Sequence, residues 1–263
     1  GKVVLVDFWT YSCINCLRTL PHLKAWYAAY HKDGLEIVGV HTPEFAFEHV
    51  SSNVRAAVKR LGVDYPVVQD NDYRTWSAYG NQYWPAEYLI DRSGEVRHIH
   101  FGEGSYGETE ESIRALLGIA GGGMTHVADV TPRDLTTPES YLGYRRLARY
   151  SGSPIVRDRP ASYRLPNGLP QNELAYGGTW TVGAERIVAG RGATLQLHFH
   201  AEKIYLVLGG RGRVGVTIGE RAGPTVLVDS YRLYTLRDSA SLADALLTLR
   251  FTPGVQAYAF TFG

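Results

Sequence analysis

An α/β domain followed by an all-β jelly-roll sandwich is the architecture this sequence predicts, and three observations predict it. Strand-like apolar runs alternate with helix-like stretches as far as about residue 117. A break with consecutive glycines follows between Gly118 and Gly123. From Tyr176 onward, short runs of β-branched and aromatic residues alternate between glycine-rich turns, the pattern of a sandwich or jelly roll. A length of 263 residues accommodates two domains of about 100–200 residues each.

The first half divides as follows. Val3 to Phe8 is a near-continuous apolar run, expected of a strand covered on both faces. Cys13 to about His31 has Leu17, Leu20, Leu23 and Tyr27 at helical spacing and ends before Gly34. Leu35 to Val40 is a second strand, and Phe45 to Leu61 a helix closed by Gly62. Val67-Val68-Gln69 is a short strand, Tyr73 to Tyr79 a short helix, and Glu87 to Asp91 and Val96 to His100 a strand pair around Arg92-Ser93-Gly94. Glu110 to Leu117 closes the domain as a helix. The expected domains are residues 1–120, a linker and wrapping segment over 121–175 with a short helix from Glu139 to Tyr150, and a sandwich over 176–263. Strands are expected there at Trp180 to Val188, Thr194 to Leu208, Arg213 to Ile218, Thr225 to Leu236, Leu246 to Phe251 and Val255 to Phe262.

Composition narrows the function. At 44% hydrophobic, 20% charged and net charge +1, nothing suggests a nucleic-acid partner. No apolar run approaches the roughly 20 residues that span a bilayer. The chain opens directly on a buried-strand pattern, and we expect it to be a piece of a longer protein.

Its two cysteines, Cys13 and Cys16, sit where the first strand gives way to a helix. A sulfur at a helix N-terminus meets free backbone N–H groups and the positive end of the macrodipole, which favour the reactive thiolate. Cys16 follows one turn later, within reach of a disulfide. Cys13 is therefore expected to be the exposed nucleophile and Cys16 the buried resolving thiol. A structural zinc would need further ligands, and an inert pair is the remaining alternative. Asp7 falls six residues before Cys13 in an apolar strand, where burial would raise its pKa and suit it to proton exchange with Cys16. The competing account is a solvated or capping aspartate at a strand end. Trp84-Pro85 precedes the strand at Glu87 and is expected either to position an extended substrate beside the cysteines, with a cis bond, or to be an ordinary turn.

Together these residues resemble the thioredoxin superfamily. Asp7, Phe8-Trp9, Pro21 five residues after Cys16, and Trp84-Pro85-Ala86 match its buried acid, strand end, helix-kinking proline and cis-proline segment. The added strand–helix unit at Leu35 to Leu61 is similar to the insertion of the TlpA and ResA branch. The run Trp9-Thr10-Tyr11-Ser12-Cys13-Ile14-Asn15-Cys16-Leu17-Arg18, with the β-rich tail, resembles the soluble C-terminal region of DipZ-type proteins. The resemblance implies a thioredoxin-like domain and a carbohydrate-binding-module-like jelly roll, preceded in the family by a CcdA/DsbD-like membrane domain. It further implies an extracytoplasmic, membrane-tethered reductant that passes electrons from that domain to thiols or disulfides of envelope proteins, with no cofactor beyond the Cys13–Cys16 pair. Cytochrome c biogenesis is a family association. Two departures stand out. The loop is Ile14-Asn15, and Thr19 replaces a glutamate functional in ResA-type proteins; Asp7 or Glu44 is expected to serve in its place.

For the tail, a glycan partner is one expectation, with Tyr176, Trp180, Tyr205, Tyr231 and Tyr234 as stacking candidates; aromatics in strands also pack cores. His198-Phe199-His200 resembles the start of a cupin metal motif but lacks its glutamate, so no metal is expected. A protein-docking module is the third account. For the whole chain, the alternative to an enzyme is a binding protein whose cysteine pair is only a redox-sensitive staple.

Overall fold

The apolar run at residues 3–9 becomes the middle strand of a five-stranded sheet, which explains why it lacks a polar face. A computed structural model describes residues 1–134 and 136–263, in two units, Gly1–Thr131 and Pro132–Gly263.

In the first unit β1 (Val3–Trp9), β2 (Leu35–His41), β3 (Val67–Gln69), β4 (Ala86–Ile90) and β5 (Val96–Phe101) lie in the order β3-β2-β1-β4-β5. The β1–β2 and β2–β3 pairs are parallel; β4 runs antiparallel to β1, and β5 antiparallel to β4. Every residue of β1 except Val4 is buried. On one face Val6 and Phe8 join Val40, Ala86 and Tyr88, and pack under Trp76 and Tyr79. Trp76 belongs to α3 (Arg74–Ala78). Leu5, Asp7 and Trp9 point to the other face, as the two-residue period of a strand requires.

The helix that starts at the cysteines is α1 (Ile14–Tyr30), with Pro21 inside it. Its buried face holds Cys16, Thr19, Leu20, Leu23, Trp26 and Tyr30, a stripe at i, i+3, i+4, i+7. Leu17 and Tyr27, expected on that face, are only half-buried. The aromatic Trp26 and the small Thr19 fill the seam instead. The expected single helix from Phe45 to Leu61 is two pieces: a 3-10 turn at Ala46–His49, then α2 (Ser51–Leu61), separated at Val50, which is extended (φ −80°, ψ 109°). The break lets Glu48 turn inward. α4 (Tyr106–Leu117) ends the unit's regular structure.

The second unit is all-β. Its strands are β6 (Ser140–Tyr141), β7 (Ala161–Tyr163), β8 (Leu174–Val182), β9 (Ile187–Ala189), β10 (Thr194–Ala201), β11 (Ile204–Gly209), β12 (Gly212–Ile218), β13 (Arg221–Val228), β14 (Arg232–Arg237), β15 (Ala243–Phe251) and β16 (Gln256–Phe262). They form two layers joined through β8. Its first residues, Leu174 to Gly177, pair with β10; from Gly178 onward it pairs with β7 and β9. The handover needs Gly178, which has φ +75° and where a Cβ would lie 2.1 Å from the Gly192 carbonyl oxygen.

Several expectations are corrected here. The segment expected as linker over 121–175 divides at Thr131/Pro132, and its later part builds the second unit through β6, β7 and the start of β8. Glu139 to Tyr150 is not helical: Ser140 and Tyr141 pair with β16, and Tyr144 N–H and Arg145 N–H donate to Gly183 and Ala184 carbonyls. Three expected long strands are each two strands around a turn; Gly183 N–H to the Arg186 carbonyl at 2.8 Å closes one such turn. Three glycan-stacking candidates are also excluded from that role. Tyr176 and Trp180 have no exposed surface and Tyr234 is 4% exposed, all within the sandwich core. Burial of these rings holds the two layers together, and Tyr176 OH donates to the Leu142 carbonyl. Tyr205 and Tyr231 are half-buried.

Candidate functional site

Cys13 caps the start of α1. It is extended (φ −82°, ψ 122°), and its sulfur accepts the Cys16 N–H at 3.4 Å. This is N-cap chemistry with sulfur in place of the usual oxygen, and the interaction strengthens when the sulfur is charged. Cys13 is partly exposed and Cys16 is buried, both as free thiols. Burial, and then the neighbouring Cys13, push the Cys16 thiol well above the usual range, with a smaller push from the Asp7 charge. The two sulfurs therefore differ in access, and burial holds the proton on Cys16.

Trp84-Pro85 is a cis peptide. The Trp84 carbonyl faces Cys13, whose thiol donates to it at 3.9 Å. The Trp84 ring is held from behind, its Nε1 donating to the Thr42 carbonyl at 3.1 Å and its face lying 4.3 Å from Trp76. Pro85 is buried, and its carbonyl accepts from Gly102 N–H at 2.9 Å.

Asp7 is 1% exposed, and neither carboxyl oxygen has a hydrogen-bond partner among the described residues. Burial alone pushes its pKa up to about 8. It is neither at a solvated strand end nor a cap. Thr19 spends its hydroxyl on the Asn15 carbonyl at 3.0 Å.

Residues outside the expected set shape the loop before the cysteines. Glu48 has no exposed surface. Its carboxylate accepts from Thr10 Oγ1, from Ser12 Oγ at 2.6 Å, and from Glu44 and Phe45 N–H at 2.7 and 3.0 Å. Burial outweighs these donors and pushes it up to about 7. Glu44, the expected stand-in for a ResA-type glutamate, is half-buried; its backbone N–H donates to Glu48, and its charge adds to the upward push on Glu48. His41, wholly buried, lies 3.3 Å from Thr10 Oγ1 and stacks on Tyr11; burial lowers it to about 4, so it is neutral. On the other side of the loop, Arg18 makes a two-point ion pair with Glu103 at 2.7 and 2.9 Å and donates to Asn15 Oδ1 at 3.2 Å. Only one signal for Glu48 exists in the sequence, an acid three residues after Phe45 at a helix-like start, and it marks a cap without indicating burial.

No group of three or more His, Cys, Asp or Glu side chains converges as a metal site among the described residues. His198 uses both ring nitrogens, one against the Leu169 carbonyl at 2.8 Å and the other against Asp244 at 2.7 Å. No helix among the described residues is long and apolar enough to cross a membrane.

The sequence is similar to several known proteins. The AhpC/TSA family model matches residues 1–99, and the model for the thioredoxin like C-terminal domain matches residues 137–263. Over 271 aligned residues, covering 100% of this chain, the sequence is 41% identical to Protein DipZ of Mycobacterium bovis and of Mycobacterium tuberculosis; it spans 39% of the length of those proteins. It is 32% identical over 117 residues to Thiol-disulfide oxidoreductase ResA of Halalkalibacterium halodurans, covering 44% of this chain and 61% of that protein. A solved structure of a thioredoxin family thiol:disulfide interchange protein from Chlorobium tepidum TLS matches 45% of this chain and 81% of its own, at 25% identity and a TM-score of 0.39.

Proposed function

We infer from the DipZ-type arrangement of this chain, a thioredoxin-like domain followed by the β-rich domain, that it is a thiol–disulfide oxidoreductase. One observation carries this reading. The partly exposed Cys13 sulfur sits at a helix start, accepts the Cys16 N–H, and faces the carbonyl before a cis proline, while Cys16 is buried one turn behind it.

In the reductive direction the Cys13 thiolate attacks a substrate disulfide held against Trp84, releasing one substrate thiolate and forming a mixed disulfide. Cys16 then loses its proton to Asp7 and attacks Cys13, which frees the second substrate thiolate and closes the Cys13–Cys16 bond. Asp7 suits this exchange because burial raises its pKa to about 8, so that it can both take up and give back a proton near neutral pH. The electrons that restore the dithiol come, in this reading, from a CcdA/DsbD-like membrane domain. The substrates are envelope proteins on the extracytoplasmic side, cytochrome c maturation being one such use. Likeness to DipZ over the whole chain supports this.

For the β-rich unit a glycan-binding role is confined to Tyr205 and Tyr231, the stacking candidates that retain surface. A glycan screen on the full chain tests it; no retention leaves docking to protein as its role.

Reduction of insulin by dithiothreitol tests the main reading. Wild type should exceed Cys13→Ala clearly. Equal rates would reduce the cysteine pair to a structural staple. Equilibration with glutathione then sets direction: a potential near about −270 mV marks a reductant, whereas one near about −120 mV marks an oxidant and overturns the proposed electron flow.

A further inference from the structure

Glu87 and His100 take no part in the exchange described above. In the register of the sheet, Asp7 on β1 stands directly opposite Glu87 on β4, and Glu87 directly opposite His100 on β5. Residues paired in this way project from one face with Cβ atoms about 4.5–5.5 Å apart. Three titratable side chains therefore form a row. It runs from the middle strand to the outermost one, since β5 is an edge. Burial falls off along it: Asp7 and Glu87 are each 1% exposed, and His100 is half-buried. All four carboxyl oxygens, and His100 Nε2, lack a hydrogen bond of ordinary geometry among the described residues.

A glutamate facing an aspartate in a dry layer is costly unless the two share protons. Burial, and then the Asp7 charge, raise Glu87 to about 8, with the Thr109 hydroxyl pulling the other way. The groups around the row come from every neighbouring element. Cys16 is on α1. The buried Tyr65 hydroxyl, which feels Asp7, Glu87 and Cys16, precedes β3. His98 is on β5. Thr109, 3.2 Å from His98, and Glu108, which acts on His98, are on α4.

We propose that Glu87 and His100 relay the proton between Asp7 and solvent at the sheet edge. The proposal rests on Cys13 and Cys16 being the exchanging pair. As the Cys16 sulfur attacks Cys13 in the mixed disulfide, its proton passes to the Asp7 carboxylate. Glu87 hands its own proton to the His100 ring at Nε2, which has no other partner among the described residues, and is refilled from Asp7, while the His100 ring passes a proton on to water. The three groups end as they began. The Cys13–Cys16 bond forms, the bond from Cys13 to substrate breaks, the substrate sulfur leaves as a thiolate with the electron pair, and the only net proton transfer is from Cys16 to solvent. Reduction of the Cys13–Cys16 bond runs the row in reverse.

Single-turnover oxidation of the reduced full chain by a peptide disulfide, acid-trapped from about pH 5 to 9, tests this. Glu87→Gln should lower the plateau of the resolving step about tenfold. It should also move the pH midpoint down, because Asp7 loses a negative neighbour. His100→Asn should lower the plateau by a similar factor, leave the midpoint in place, and recover when imidazole is added, since His100 reaches the surface. Wild-type plateau and midpoint in both variants would overturn the relay, as would a His100→Asn loss that imidazole does not restore. His100→Asn, at the half-buried edge, carries the test if Glu87→Gln does not fold. Wild type no faster than Cys13→Ala would instead reject the underlying exchange reading, so the two failures are distinct.

Discussion

Replacing Asp7 by asparagine should stabilise the first unit in proportion to pH. Asparagine keeps the volume and removes the charge. The folded-state pKa of Asp7 is raised to about 8 by burial, whereas an unfolded aspartate titrates near about 3.9. A raised pKa means the folded state is favoured fully only below the unfolded value and loses stability until the folded value is passed. No penalty therefore exists below about pH 4; it grows through the interval and is constant above about pH 8. Between pH 4 and pH 7 there are about three units at about 1.4 kcal/mol each, so the charge-bearing group costs about 4 kcal/mol at neutral pH. A protonated carboxyl and an amide bury comparable unpaired polar groups, so Asp7→Asn and wild type should match near pH 4. The assay is urea-dependent alkylation of Cys16, buried in the folded unit, in a Cys13→Ala background that leaves one thiol to react. Wild type and Asp7→Asn are compared at matched pH. A stability difference that stays flat between pH 4 and 8, or shrinks as pH rises, would refute the burial account of Asp7.

Further outcomes are expected elsewhere. Cys16→Ala should accumulate the mixed disulfide between Cys13 and substrate, visible as an added mass on non-reducing analysis, because no internal sulfur remains to resolve it. Glu48→Gln sets an amide NH2 against some of the four donors that its carboxylate now satisfies. It should cost about 1–3 kcal/mol in denaturant unfolding and speed alkylation of Cys13 as the loop loosens. Gly178→Ala places a Cβ against the Gly192 carbonyl at a positive φ and should destabilise the second unit by about 3 kcal/mol or more, read as protease sensitivity of β8.

Local features of this protein are readable along the chain because their causes are local. The apolar run at 3–8, the cysteine spacing at a strand-to-helix change, and stop signals such as Gly34 and Gly62 each depend on residues a few positions apart. So does the strand parity that sends Asp7 to the face opposite Phe8. The outcome differs where a distant partner decides. Glu139 to Tyr150 carries helix-compatible residues, yet Ser140 and Tyr141 are captured by β16, more than a hundred residues away. Tyr176, Trp180 and Tyr234 are aromatics in strand-like runs, as sugar-binding aromatics would be, but all three lie in the sandwich core. Glu48 has the sequence of an ordinary first-turn acid, and only the approach of Thr10 and Ser12 makes it the anchor of the cysteine loop.

The sequence by itself determined that a sulfur would cap a helix, that a second would lie one turn behind, and that an acid would stand in the preceding strand. Those follow from the spacing of neighbours on a helix or strand, which is set by backbone geometry. Only the tertiary structure decided that Glu87 and His100 fall in line with Asp7. A strand's period states which face a residue takes, but which strand lies alongside, and in what register, is settled by packing between segments some eighty residues apart.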